Sequence, residues 1–261
     1  MSRASVVSLM YHEIELPGRP ACHTEAGYLR YVVFAEDFRQ QLRSLKHGGW
    51  HGMSTGEALA QPKVPGVAIT FDDGCETDLI EAAPLLRELG SNATFYITVG
   101  FLGGRGYLSR PQLRELAEMG FEIGCHSMTH AYLPDLGEDD LAREIIQAKT
   151  ELEEITGRSV EHFSCPGGRW NRRVESVARE AGYLSVATSR PIANSAGANP
   201  FALGRVAILR GTDLPAFKKL ASGKDLWKTS LADSARAAIR NTLGNSLYDR
   251  FRDRLLEHNK P

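Results

Sequence analysis

The sequence predicts an α/β protein built on a parallel sheet. Three observations carry that reading. Short apolar runs rich in β-branched and aromatic residues alternate with longer segments of helical period. The alternation is regular, strand then helix, which is the pattern of parallel strands joined by helical crossovers. The composition, 42% hydrophobic and 24% charged, is that of an ordinary globular protein long enough at 261 residues for one large domain or two small ones. Seven strand candidates suit an incomplete barrel of the (β/α) type, with a doubly wound open sheet as the alternative. In either fold the chemistry belongs at the C-terminal ends of the strands.

The elements follow in order. The run Val6–Tyr11 reads as the first strand. Residues 13–34 are a long connection carrying His23, Tyr28 and Tyr31, the kind of segment that contacts substrate. A helix is expected over Ala35–His47, a buried strand over Val67–Phe71, and a helix over Asp78–Leu89. Thr94–Val99 is the next strand, Arg110–Met119 a helix, and Phe121–Cys125 a strand. The helix Glu138–Thr156 is the clearest: Leu141, Ile145, Ala148, Leu152 and Ile155 form one stripe, acids open its first turn, and Gly157 lies just past its end. His162–Cys165, Leu184–Thr188 and Arg205–Leu209 complete the strands, with a helix at Arg172–Ala181. The domain so defined is residues 1–221, and residues 222–261 form a helical tail. Its second part puts Leu247, Phe251 and Leu255 on one face and Asp249, Arg252 and Asp253 opposite. Such a helix packs on the domain or on a partner protein; a membrane-surface role is the weaker reading because its charge is mixed.

Several function classes are excluded or set aside by the totals. A net charge of −1, from 31 basic and 32 acidic residues, lacks the basic footprint of a nucleic-acid binder. No apolar run is long enough to span a bilayer. The first apolar run is too short for a signal-peptide core. If Met1 opens the native chain, the expectation is a cytoplasmic protein, free or peripheral to the inner membrane face. Cys22, Cys75, Cys125 and Cys165 form no CxxC pair and no zinc-finger spacing, and four reduced thiols are expected.

Polar residues collect where the strands end. The first strand ends in Tyr11-His12, the second in Asp72-Asp73-Gly74, the fourth in "CHSMTH" with His126 and His130, and the fifth in "CPGGRW". His126 and His130 are four apart and would share a face on a helical turn, as two nitrogen ligands of one metal must. A carboxylate from another strand end turns that weak signal into a recurrent design for hydrolytic zinc or iron(II). Adjacent strand residues point to opposite faces, so two neighbouring aspartates at one site need different aims and different tasks. One can bind metal while the other takes a proton from water, provided the chain bends at Gly74.

These motifs resemble the polysaccharide deacetylase family, carbohydrate esterase family 4, with its NodB-homology domain. Thr70–Gly74 (TFDDG) matches the family's first motif, His126–His130 (HSMTH) its H-[ST]-x-x-H motif, and Phe163–Gly168 (FSCPGG) resembles the FAYPYG form of its third. The resemblance spans residues 5 to 215 and includes "LMYHEI" and "AGYLSVATS". It implies a distorted (β/α) barrel of about seven strands and one divalent metal, commonly zinc, with cobalt or another divalent ion as substitutes. By position it makes Asp72 the general base and Asp73, His126 and His130 the metal ligands. It gives the Gly167 N–H to the oxyanion.

The chain departs from the family pattern in places. The arginine that orients the base in the longer third motif is replaced by Ser164, and an aromatic position is Gly167. No late L-x-H histidine follows Cys165 apart from His258 in the tail. "LMYHEI" is similar to the subset resembling poly-N-acetylglucosamine deacetylases, which carries the acid histidine in an N-terminal strand. On that resemblance His12 is the general acid. Arg169, Trp170 and Arg205 are expected to line the cleft, with Trp170 suited to stacking on a sugar ring. The expected activity is metal-dependent removal of N-acetyl groups from an N-acetylated sugar, in a polymer, an oligosaccharide or a precursor. The alternatives are an O-deacetylase, a small-amide hydrolase, and a glycan-binding pseudoenzyme. Neither loop that would select the sugar, 13–34 or 189–204, carries a motif that names one.

Overall fold

The computed structural model describes residues 5–61 and 66–226. All seven expected strands are present; the first two begin one residue early, at Ser5 and Gly66, and the other five are shorter than expected. The Ser5–Tyr11 strand pairs in parallel with Gly66–Phe71, and the sheet continues in parallel through Thr94–Ile97, Glu122–Cys125, His162–Ser164 and Ser185–Ala187. On its other edge, Ser5–Tyr11 pairs in parallel with Val206–Ala207 and antiparallel with Asn194–Ser195. The two ends of the sheet then meet. The Leu203 N–H donates to Val186 O at 2.9 Å, and its carbonyl accepts from the Thr188 N–H at 2.8 Å, just ahead of Val206. The sheet therefore curls into a barrel, and the open doubly wound alternative is set aside. Closure through one bridge instead of a full ladder is what makes the barrel distorted.

The core explains the register. Leu9, Ile69, Phe71 and Phe95 are fully buried, and Phe71 stacks between Tyr11 at 5.4 Å and Phe95 at 4.9 Å. Aromatic pairs on neighbouring strands fix which face points inward. The Ala35–His47 helix covers one side with Phe38, Leu42 and Leu45 inward, acids in its first turn and Lys46 and His47 in its last.

Departures from expectation have local causes. The strand expected over Thr94–Val99 stops at Ile97, because Val99–Phe101 winds into a 3-10 turn. The Glu138–Thr156 helix forms as Glu138–Ala142 and Ala148–Thr156 separated by a π-turn at Arg143–Gln147, and ends at Gly157 with φ +66°. A π-stretch, Asp78–Ala82, likewise opens the helix that continues as Ala83–Leu89. No element is expected at His51–Met53, yet a short strand forms there and pairs with the first half of Gly66–Phe71. The helices Thr55–Ala60 and Leu214–Ala221 were also unexpected. The long connection 13–34 is ordered by pairing of Ile14–Glu15 with Val33–Phe34 and by a helical turn at Ala26–Leu29. From residue 227 the expected helical tail lies outside the described residues. No helix among them is long and apolar enough to cross a membrane.

Candidate active site and metal centre

The site begins where the Gly66–Phe71 strand runs out. The Asp72 N–H still donates to Tyr11 O at 3.0 Å, so Asp72 keeps a strand-like aim. Asp73 then turns to φ +81° and Gly74 to φ +82°. A non-glycine residue in the left-handed region costs on the order of 1 kcal/mol or more and persists where the surroundings enforce it. The turn gives the two carboxylates their separate directions. Asp73 Oδ1 is buried and has no hydrogen-bond partner. It faces His126 Nε2 at 3.6 Å and His130 Nε2 at 3.5 Å.

The two histidines converge by a route other than the helical turn expected from their spacing. Residues 126–130 form a loop in which Ser127 takes φ +72° and His130 φ +63°. His126 follows the Glu122–Cys125 strand directly. Its Nδ1 lies 2.9 Å from Ser164 O, a contact that only an Nδ1–H can make, so the Nε2 lone pair points at the aspartates. Burial pushes the His126 pKa down to about 4, which keeps the ring neutral at neutral pH. The loop is held by Glu144. Its Oε2 accepts from the Met128 and Thr129 N–H groups at 2.9 and 2.8 Å, and its Oε1 accepts from the Thr129 hydroxyl at 2.6 Å. Glu144 lies in the π-turn of its helix, which aims a buried acid at the loop.

Asp72 is tied to a residue from the far end of the chain. Arg205 grips it with two hydrogen bonds, Nη1 to Oδ1 at 2.6 Å and Nη2 to Oδ2 at 2.8 Å. The same guanidinium donates to Ser164 Oγ at 2.7 Å, Thr70 Oγ1 at 3.2 Å and Thr188 O at 3.1 Å. Arg205 is 1% exposed, so it orients Asp72 from behind and does not line the cleft as expected. It also supplies the arginine that Ser164 lacks in the third motif. Burial alone would raise the Asp72 pKa, but Arg205, with His126 adding to it, holds the carboxyl well below the usual carboxylate range.

Asp73 Oδ1 and the Nε2 atoms of His126 and His130 lie within 4.8 Å of one another. Two imidazole nitrogens and a buried carboxylate oxygen that nothing else satisfies are a donor set that fits a divalent metal of the zinc or iron(II) class.

The family described as polysaccharide deacetylase matches residues 60–186. Those residues, just under half of the chain, form a domain of the polysaccharide deacetylase family. Among its relatives is YxkH of Bacillus subtilis, 29% identical over 220 residues, which cover 82% of this chain and 75% of that one. A peptidoglycan-N-acetylglucosamine deacetylase of Bacillus cereus is 37% identical over 122 residues, 46% of this chain and about half, 54%, of the relative. The crystal structure of a polysaccharide deacetylase from Bacillus cereus superposes with a TM-score of 0.72 at 26% identity, over 84% of this chain and 69% of that one.

The other residues singled out from the family motifs fall as follows. His12 is half-buried at the end of its strand, its ring tilted 36° against that of Tyr31 with centroids 4.6 Å apart, and its Nδ1 has no hydrogen-bond partner. Burial lowers its pKa, against the pull of Asp73 and Asp72. Gly167 is exposed at φ +58°, and among the described residues its N–H donates to no group. Arg169 is buried, with its guanidinium over the Tyr132 ring at 4.6 Å. Trp170 is half-buried against the core, its indole N–H unpartnered. Cys125 packs in the core, away from the site.

Proposed function

We propose that the protein is a metal-dependent de-N-acetylase of N-acetylated sugar units, with N-acetylglucosamine the first class to test. The observation that carries this reading is the unsatisfied Asp73 oxygen faced by two Nε2 atoms, with an ionised Asp72 beside it. The relative that acts on peptidoglycan N-acetylglucosamine supports the choice of sugar.

Asp73, His126 and His130 would hold the metal. Zinc, or cobalt in its place, would supply a Lewis acid for the acetamide carbonyl and a water that ionises near neutral pH. Asp72 takes a proton from the attacking water. Arg205 keeps it ionised and fixes its plane, so its remaining lone pairs face the site. The Gly167 N–H is the donor for the oxygen that becomes negative. His12 hands a proton to the departing amine, with the tilted Tyr31 ring packed against it. Assignment to the subset with an N-terminal YH strand rests on that role.

The test is acetate release by the zinc-loaded chain from N-acetylglucosamine oligomers, nucleotide-linked N-acetyl sugars and an O-acetylated sugar, with Asp72→Asn as control. Release from N-acetyl substrates by the wild type alone supports the proposal. Release confined to the O-acetylated sugar would replace it with an esterase. Metal-loaded protein silent on every substrate would favour a binding role.

A further inference from the structure

A second cluster of donors lies on the other side of the Gly74 turn. Glu13, Cys22 and Cys75 each offer a ligand atom, all within 4.8 Å of one another, and none of the three belongs to the Asp73, His126 and His130 set. All three are buried. The two sulfurs are 3.8 Å apart. A tetrahedral ion with bonds of about 2.3 Å to each sulfur sets them about 3.8 Å apart, whereas a disulfide needs about 2 Å. A second observation is independent of that spacing. Asp78 donates its N–H to Cys75 O at 3.0 Å, its side chain is fully buried, and neither carboxylate oxygen has a hydrogen-bond partner.

The geometry points to a second metal site, built by Glu13, Cys22 and Cys75 beside the unpartnered Asp78 carboxylate, for a thiophilic divalent cation of the Zn2+ class. The surroundings suit it. Cys22 and Cys75 pack with Tyr107, and Tyr28 and Phe101 close the shell, which excludes water. Glu13 is oriented by the Cys22 N–H at 3.0 Å and by the Tyr28 hydroxyl at 2.9 Å. Gly106 has φ +88°, and a Cβ there would meet Cys22 Sγ at 2.7 Å, so only glycine lets the thiol in. Cys22 Sγ–H donates to Gly106 O at 3.2 Å. Binding Zn2+ releases the two thiol protons and forms two metal–sulfur bonds, with no redox change. The ion would staple the 13–34 connection to the turn that carries Asp73.

The experiment uses the full chain, stripped by chelator and titrated with Co2+, reading bound metal per chain and thiolate-to-cobalt charge-transfer absorption in the near ultraviolet. Wild type is expected to bind two ions and show the band. Asp73→Asn/His126→Ala is expected to bind one ion and keep the band. Cys22→Ser/Cys75→Ser is expected to bind one ion and lose it. Wild type and the first variant retain every donor of the second site, so misfolding of the cysteine variant cannot decide the matter. One ion and no band in wild type, a band that survives in the cysteine variant, or a Cys22–Cys75 disulfide in zinc-replete protein would each overturn the proposal.

Discussion

Removal of Arg205 separates orientation of the base from its identity. Arg205→Met keeps the volume of the stem and deletes the fork that donates at 2.6 and 2.8 Å. Asp72, 2% exposed, is left with Ser164 Oγ at 3.5 Å from each of its oxygens. Breaking one side of a buried ion pair costs about 3–5 kcal/mol, because the other charge stays buried. The pKa follows. In the wild type the guanidinium outweighs burial, so Asp72 stabilises the fold above its unfolded pKa, and that contribution fades as pH falls toward the depressed folded value. In the variant burial dominates and the folded pKa rises above the unfolded one. The stability deficit is therefore larger at neutral pH than near pH 4, and the acid limb of kcat/KM moves to higher pH. Urea unfolding at both pH values and a pH–rate profile read this out. In an Asp72→Asn background the same change should cost far less, since no charge is stranded. A deficit below about 1 kcal/mol with an unshifted acid limb would refute the reasoning.

Three further outcomes are expected. Glu144→Ala removes the acceptor of the Met128, Thr129 and Thr129 hydroxyl bonds without touching a ligand, and zinc affinity measured by competition should fall about 10–100-fold. His12→Ala should lower kcat about 10²–10⁴-fold with metal content unchanged. Because burial lowers His12 and an acid must be protonated, the wild-type alkaline limb should lie below the usual histidine range and vanish in the variant. Gly74→Ala should destabilise by about 1–3 kcal/mol in chemical denaturation, since φ is +82° and the new Cβ would meet Ile97 Cδ1 at 3.1 Å.

The residues that meet at the site divide into those visible in sequence and those that are not. Asp72, Asp73, His126 and His130 were legible because each motif is contiguous and follows an apolar run that had to be a strand. Their manner of meeting was not, since positive φ at Asp73, Ser127 and His130 is set by neighbours remote in sequence. Glu144 left a trace: an acid between Leu141, Ile145 and Ala148, on the stripe read as apolar. Arg205 left another, a charge at the head of an otherwise apolar strand candidate. Only the fold reveals that it points behind Asp72 and not into the cleft. Closure itself, by the bridge of Leu203 to Ala187, involves too few residues to form a pattern. Short strands such as His51–Met53 are silent for the same reason. The Glu13, Cys22 and Cys75 cluster joins residues far apart in the chain at no motif spacing, and only the fold brings them together.

The central claim is most directly tested by acetate release from an N-acetylglucosamine oligomer, measured on one preparation before chelation, after chelation and after zinc is returned, beside Asp73→Asn. The account predicts release that is lost with the chelator and restored by zinc, and an Asp73→Asn protein that stays silent throughout. Release that survives chelation, or an Asp73→Asn protein turning over at the wild-type rate, would contradict it.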